Sequence, residues 1–255
     1  MIILSALLSL FSPLAVTFAQ RPFLLTESAV PVEKGSYRFE AGFTRHRFGS
    51  GIRGTTLTVS LRYGLIQNLE IDLEVPYLFF KKRGGNTEDQ FGDILLKTKV
   101  RFLKGRVANP LSIAGILEIK FPSADREPNF RPETTGEADV GLWGIASKEF
   151  MQATAHINFG YILVGNPAFG NKPDQIRYAI GLENELWEGS TTLFGELSGT
   201  NDVGSDAPSN DTLVVVGGFS YHADLDLDLD ASAGFGLTDD SADYVISAGL
   251  TYFLN

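Results

Sequence analysis

The chain has no cysteine among its 255 residues, which excludes a disulfide framework, thiolate-ligated zinc or iron–sulfur centres, and a thiol nucleophile. Histidine is almost as scarce. His46, His156 and His222 leave little for an imidazole-based metal centre, and no metal or other cofactor is expected. Positive charge is in deficit: 21 Lys and Arg against 31 Asp and Glu give a formal net charge of −10. With no surplus to neutralise a phosphate backbone, nucleic acid is excluded as a partner. Past residue 20 no apolar run is long enough to cross a bilayer as a helix. The body of the chain is therefore either soluble or a barrel, and its length suits one all-β domain.

One apolar run is present, at the N-terminus. Met1 to Val16 is almost wholly apolar, and Thr17-Phe18-Ala19 has the small-residue spacing of a signal-peptidase site. Residues 1–19 are expected to be a cleaved signal peptide that exports the chain. No Lys or Arg precedes the run, so the usual basic n-region is missing. The alternative is a single anchoring helix, but Pro13 interrupts the run and it is short for a span of roughly 20 residues. Residues 20–34 are expected to be a periplasmic segment, and 35–255 the folded body.

From Gly35 onward apolar and polar residues alternate with period two, which puts successive side chains on opposite faces of a strand. Thr55, Leu57, Val59, Leu61 and Tyr63 share one face; Thr56, Thr58, Ser60 and Arg62 share the other. Leu69 to Phe79 repeats the division, with Glu70, Asp72, Glu74 and Pro76 on the polar side, and Asp93 to Phe102 does so with Asp93, Lys97, Lys99 and Arg101. Leu95 is an apolar exception on that polar face. About twelve such segments run at 36–47, 54–64, 69–80, 92–103, 111–122, 138–148, 152–164, 175–187, 191–199, 212–221, 225–237 and 243–254. Most exceed the usual strand of about five or six residues. They match the roughly 9–11 residues that a tilted strand needs to cross hydrocarbon.

The connections alternate too. Those at 65–68, 149–151, 188–190 and 222–224 are tight, whereas 81–91, 123–137, 165–174 and 200–211 are long and rich in Gly, Pro and charge. Short periplasmic turns and long outer loops are the arrangement of outer-membrane barrels. An even strand number leaves both termini in the periplasm. The polar faces give the orientation. If 69–80 and 92–103 form a hairpin, Glu74 can face Lys97, Asp72 Lys99 and Glu70 Arg101; three opposite-charge pairs in one ladder suit an enclosed polar interior. Aromatic residues near strand ends, such as Tyr37, Tyr63, Tyr77, Tyr161, Tyr221 and Tyr252, suit an interfacial girdle. The expected fold is an all-β transmembrane antiparallel barrel of about twelve strands.

Two resemblances follow. The closing run Ser247 to Leu254, with one trailing Asn255, resembles the C-terminal signal of outer-membrane barrels and implies the barrel-assembly machinery as a partner. The chain as a whole resembles the MetA-pathway phenol-degradation family of outer-membrane proteins, often described as transporters. The resemblance rests on Leu61-Arg62-Tyr63-Gly64-Leu65 leading into Leu69-Glu70-Ile71 and Pro76-Tyr77, then Gly92-Asp93-Ile94 with Lys97 and Lys99. It continues through Leu117 to Pro122, Asp139-Val140-Gly141-Leu142 and Asn158-Phe159-Gly160-Tyr161. Pro122-Ser123-Ala124 stands where the family tends to have Pro-Thr-Gly. The resemblance implies an outer-membrane barrel passing small, including aromatic, compounds.

The expected pore-lining set is Arg38, Glu40, Arg62, Glu70, Asp72, Glu74, Lys97, Lys99, Arg101, Glu118, Lys120, Arg177, Glu183, Glu185, Glu196, Asp226, Asp228 and Asp230. Its acidic excess would favour cations or neutral polar solutes over anions. The same set could equally be a salt-bridged filling of a closed barrel. Asp224, Asp226, Asp228 and Asp230 recur at every second residue, as if four carboxylates lined one strand face, although nothing there resembles a calcium loop. His156-Ile157-Asn158 invites comparison with barrel lipases; with no serine adjoining it and Ser147 the nearest candidate on the preceding strand, no enzymatic activity is expected. Lys81, Lys82 and Arg83 open a long loop where lipopolysaccharide phosphates would lie, and Phe130 could cap or constrict the barrel. Three functional readings stand at this level: a passive small-solute channel, a non-conducting structural or surface-interaction barrel, and a soluble periplasmic ligand-binding β protein.

Overall fold

The computed structural model describes residues 21–49, 53–81, 87–106, 109–124, 136–165, 173–186, 190–204 and 211–254. The expected signal peptide, Lys82, Arg83 and Phe130 lie outside the described residues. The strands are β1 (Tyr37–Arg47), β2 (Arg53–Ile66), β3 (Leu69–Lys81), β4 (Thr87–Phe91), β5 (Ile94–Leu103), β6 (Leu111–Phe121), β7 (Asp139–Phe150), β8 (Ala153–Leu163), β9 (Asp174–Leu186), β10 (Thr191–Val203), β11 (Thr212–Asp224), β12 (Leu227–Gly236) and β13 (Tyr244–Leu254). Each pairs antiparallel with its sequence neighbour, and β1 pairs with both β2 and β13, which closes the sheet. β4 and β5 both pair with β3 and together serve as one wall strand, giving a closed barrel of twelve.

The alternating pattern is oriented with its apolar face outward. Leu57, Val59, Leu61 and Leu73 are 42–44% exposed, while Arg62, Asp72 and Glu74 on the opposite faces of the same strands are 1% exposed. A water-soluble barrel would reverse this, because exposing one side of every strand to water while burying charge loses on both counts. In lipid the exterior is satisfied, and closure leaves no backbone edge unpaired in hydrocarbon. The aromatic ends are as expected of a girdle: Tyr37 stacks on Tyr63 at 4.5 Å, and Tyr77 packs against Phe79 and Phe91 at the other rim.

Three local expectations are corrected. The described part of the 81–91 connection is strand, because β4 extends the hairpin by pairing Thr87–Phe91 with Tyr77–Lys81. The register of this hairpin differs by two residues from the charge-matched one: Glu70 faces Lys99, Asp72 faces Lys97 and Glu74 faces Leu95. The break between β4 and β5 falls opposite Pro76, which has no N–H to give the ladder, although its carbonyl accepts from Gly92 N–H at 2.9 Å. A shift of two keeps every side chain on its face. Finally, β11 runs on to Asp224 and the turn is Leu225-Asp226, so Asp224 and Asp226 are exposed and only Asp228 and Asp230 lie on the inner face of β12.

Candidate pore and the segment inside it

The segment expected to be periplasmic, residues 20–34, runs inside the barrel over its described residues 21–34. Arg21 pairs with Asp230, three residues into β12, near the short-turn end. The chain rises to mid-barrel at Leu24–Glu27 and returns past Ala29 and Val32 to Lys34, which bridges to Gly64 at the short-turn end. Phe23, Leu24, Leu25, Thr26, Glu27, Ala29 and Val32 are buried. An irregular segment in a barrel interior must find partners for its backbone, and wall side chains supply them. The Glu196 carboxylate accepts the N–H groups of Leu24, Leu25 and Thr26 at 3.0 Å each. Asn158 bonds both the N–H and the C=O of Glu27. Ala29 N–H donates to Ser147 Oγ at 2.8 Å and Val32 N–H to Glu70 Oε2 at 2.6 Å.

The wall is shaped to admit the segment. At Gly64 a Cβ would stand 2.0 Å from Glu33 O, and at Gly181 one would stand 2.7 Å from the Thr26 side chain. Two apolar patches interrupt the polar lining. Phe194, Val216, Ala242 and Val245 receive Phe23 and Leu24, while Ala114, Ile116 and Ile145 receive Ala29. These inward apolar residues were not anticipated from the sequence. All but Ala242, which lies in the connection before β13, are breaks in their strands' alternation, and alternation alone cannot say whether a break is an irregularity or a seat.

Glu27 meets three cations of the wall. Its carboxylate meets Arg62 at 3.1 Å, Lys99 at 3.0 Å and Lys97 at 3.3 Å. Burial by itself would raise its pKa, but Arg62, Lys99 and Lys97 together outweigh burial and hold it well below the usual carboxylate range. The same cations serve the wall: Arg62 also contacts Glu40, Glu70 and Asp72, while Lys97 meets Glu74 at 2.6 Å and Lys99 meets Glu70 at 3.2 Å. Carboxylate oxygens of Glu27, Asp72 and Glu74 lie within 4.8 Å of one another, but Arg62 and Lys97 already stand among them as counter-charges.

Of the expected lining, Glu40, Arg62, Glu70, Asp72, Glu74, Lys97, Lys99, Glu118, Lys120, Glu196 and Asp230 are buried inside. Lys120 spans Asp93 and Asp139, and Arg177 lies 3.9 Å from Glu118. Arg38, Glu183, Glu185 and Asp228 stand toward the short-turn rim, where His222 contacts Asp228. Two members fall elsewhere. Arg101 binds Gln67 O and the Asn68 side chain at the turn, at 3.1 and 3.2 Å, and Asp226 is exposed in the turn itself.

The segment divides the interior. On its short-turn side, a cavity of about 470 Å³ lies between Phe23, Ser28 and Pro31 of the segment and Ser147, His156 and Glu183 of the wall. On its long-loop side, a smaller and mainly apolar cavity is lined by Leu24, Leu25, Phe48, Val214 and Val245. Ser147, the nearest serine candidate in the sequence but not expected to adjoin the histidine, is paired with His156 across β7 and β8, and its Oγ lies 2.8 Å from His156 Nδ1.

Lipid-facing apolar strands, a charged interior and an internal segment define a transmembrane β-barrel of the outer-membrane type. Residues 23–254 match the family described as "Putative MetA-pathway of phenol degradation". The chain belongs to that family. Among solved structures it is similar to an outer membrane channel from Pseudomonas putida F1, with a TM-score of 0.74 and 12% identity over 89% of this chain and 98% of that one. It is also similar to the NanC porin (0.57, 11% identity, 85% and 98%) and to the CymD monoaromatic hydrocarbon channel (0.51, 10% identity, 88% and 89%). At these identities the likeness is one of fold. No match is found among curated proteins.

Proposed function

We infer that the protein is an outer-membrane channel for small solutes, narrowed by its own N-terminal segment. One observation carries this reading. The segment is held mainly by hydrogen bonds and ion pairs between its backbone or Glu27 and the wall, in an interior that keeps a 470 Å³ cavity beside it. Polar attachments can exchange with water and with solute, as a continuous hydrophobic core cannot. The likeness to a monoaromatic hydrocarbon channel and to porins supports small organic compounds, aromatic ones among them, as the solutes. Passage of this kind is passive and needs no bond chemistry. The lining's acidic excess favours cations and neutral solutes over anions.

In this reading residues 1–19 are removed on export, both termini face the periplasm, and the C-terminal strand engages the assembly machinery. Lys81, with Lys82 and Arg83, meets lipopolysaccharide phosphates at the outer rim. Planar-bilayer recording of the full mature chain against a variant lacking residues 21–32 tests the reading: the variant is expected to conduct more, with cation preference that falls in Glu118→Gln. Silence of both folded proteins would favour a second reading, a closed structural barrel, which the buried Arg62–Glu27–Lys97 network also suits.

A further inference from the structure

Ser147, His156 and Glu183 stand on three successive strands, β7, β8 and β9, and their side chains form one hydrogen-bonded row. Ser147 Oγ lies 2.8 Å from His156 Nδ1, and His156 Nε2 lies 3.4 Å from Glu183 Oε1. An ionised carboxylate only accepts, so Glu183 places the imidazole proton on Nε2 and leaves the Nδ1 lone pair for the Ser147 O–H. That is the relationship a nucleophilic hydroxyl requires: a base within reach of its proton and a third group fixing the base's tautomer. Compared with the chymotrypsin arrangement the two ring nitrogens exchange places, which leaves the proton path intact.

Two further observations separate this row from ordinary wall packing. All three residues line the 470 Å³ cavity, a volume within the range of small-molecule sites. The internal segment also orders both reacting groups. Ala29 N–H donates to Ser147 Oγ at 2.8 Å, taking one lone pair, aiming the hydroxyl proton at His156 and leaving the second lone pair for attack. Phe23 packs edge-on against the imidazole with ring centroids 5.7 Å apart, limiting its rotation. With the segment docked, both reacting groups are therefore held from the barrel interior as well as from the wall.

We propose that Ser147 and His156 are a nucleophile and base, positioned by Glu183, that hydrolyse small carboxylic esters in this cavity. Ser147 Oγ bonds to the ester carbonyl carbon as its proton passes to His156 Nδ1. The tetrahedral adduct breaks its bond to the alkoxy oxygen, which takes that proton and departs as the alcohol. Water then attacks the acyl-serine, giving a proton to Nδ1, and the carboxylic acid leaves as Ser147 recovers that proton. Water is the only co-reactant, and nothing is oxidised or reduced. The cavity's volume and its closure by Phe23 and Pro31 limit the substrate to compact acyl groups.

The test uses the full mature chain, folded in detergent. A fluorophosphonate probe is expected to label Ser147, located by peptide mass mapping, and 4-nitrophenyl acetate is expected to turn over with saturation. Ser147→Ala and His156→Ala are expected to fall to the uncatalysed background, a loss of about 10²-fold or more. As a positioning residue, Glu183 is read by pH profile: Glu183→Gln shifts it and Glu183→Asp restores it. Labelling of the wild type depends on no variant folding. Absence of label, label on another serine, or equal turnover by wild type and Ser147→Ala overturns the assignment, whatever the conductance measured for the same preparation.

Discussion

Asn158 and Glu27 exchange two hydrogen bonds: Glu27 N–H donates to Asn158 Oδ1 at 2.9 Å, and Asn158 Nδ2 donates back to Glu27 C=O at 2.9 Å. A wall side chain thus does for the internal segment what a neighbouring strand does for a β residue, satisfying both of its backbone groups at once. Asn158→Leu keeps much of the volume and removes both partners. It is expected to weaken docking by about 1–3 kcal/mol for each buried group left unpaired, read as faster hydrogen exchange at Glu27. Glu196→Ala is expected to accelerate exchange at Leu24, Leu25 and Thr26 together, since one carboxylate serves all three. Unchanged exchange in both variants would mean that the segment is held by its apolar side chains.

Glu27→Gln leaves Arg62, Lys97 and Lys99 short of a shared anion. Removing one partner from a buried charge network costs about 3–5 kcal/mol, so the variant is expected to lose its compact, heat-sensitive gel mobility at a lower temperature than wild type.

The depressed Glu27 carboxyl also makes a pH prediction. Its stabilising contribution is whole above the ordinary Glu value of about 4.3 and is lost only as pH falls through the lower folded value. Exchange at Glu27, corrected for the intrinsic pH dependence of amide exchange, is therefore expected to be the same at pH 7 and pH 5. A protection loss between those values would show that Glu27 is not held ionised by its cations.

Gly64 and Gly144 predict opposite responses to a methyl group. In Gly64→Ala the new Cβ would meet the Glu33 backbone 2.0 Å away, which has no flexible end to move, so the segment's exit is expected to be displaced and conductance raised. Gly144 faces outward with nothing within 4 Å, and Gly144→Ala is expected to be silent.

Leu57 and Thr58 are adjacent and face opposite ways. Leu57→Arg puts a charge on the lipid face at a cost of about 2–4 kcal/mol near the midplane and is expected to lower folding yield into vesicles. Thr58→Arg points inward and is expected to fold and to change ion selectivity instead. Equal yields would contradict the orientation of the barrel.

Much of the wall was legible before any fold was known. Alternation in Thr55–Tyr63 and Leu69–Phe79 places Leu57 and Leu73 on one surface and Arg62, Asp72 and Glu74 on the other, because side-chain period in a strand is fixed by backbone geometry. Register was less legible: matching Glu74 with Lys97 found a real ion pair, at 2.6 Å, yet missed the Cα pairing by two residues. Long side chains reach diagonally, so charge matching tolerates such slips. The Asp224–Asp230 series misled because a two-residue turn inside a period-two pattern is invisible to periodicity.

The sequence by itself determined a lipid-facing barrel of about twelve strands and much of the charge that its strands turn inward, since both follow from local alternation and segment length. Only the tertiary structure decided that residues 21–34 enter that barrel, that Glu196 and Asn158 meet their backbone, and that Ser147 stands beside His156. Those contacts join the irregular segment to the wall, or one strand to another, up to 209 positions apart in the case of Arg21 and Asp230, and depend on barrel closure and register, which no local pattern encodes.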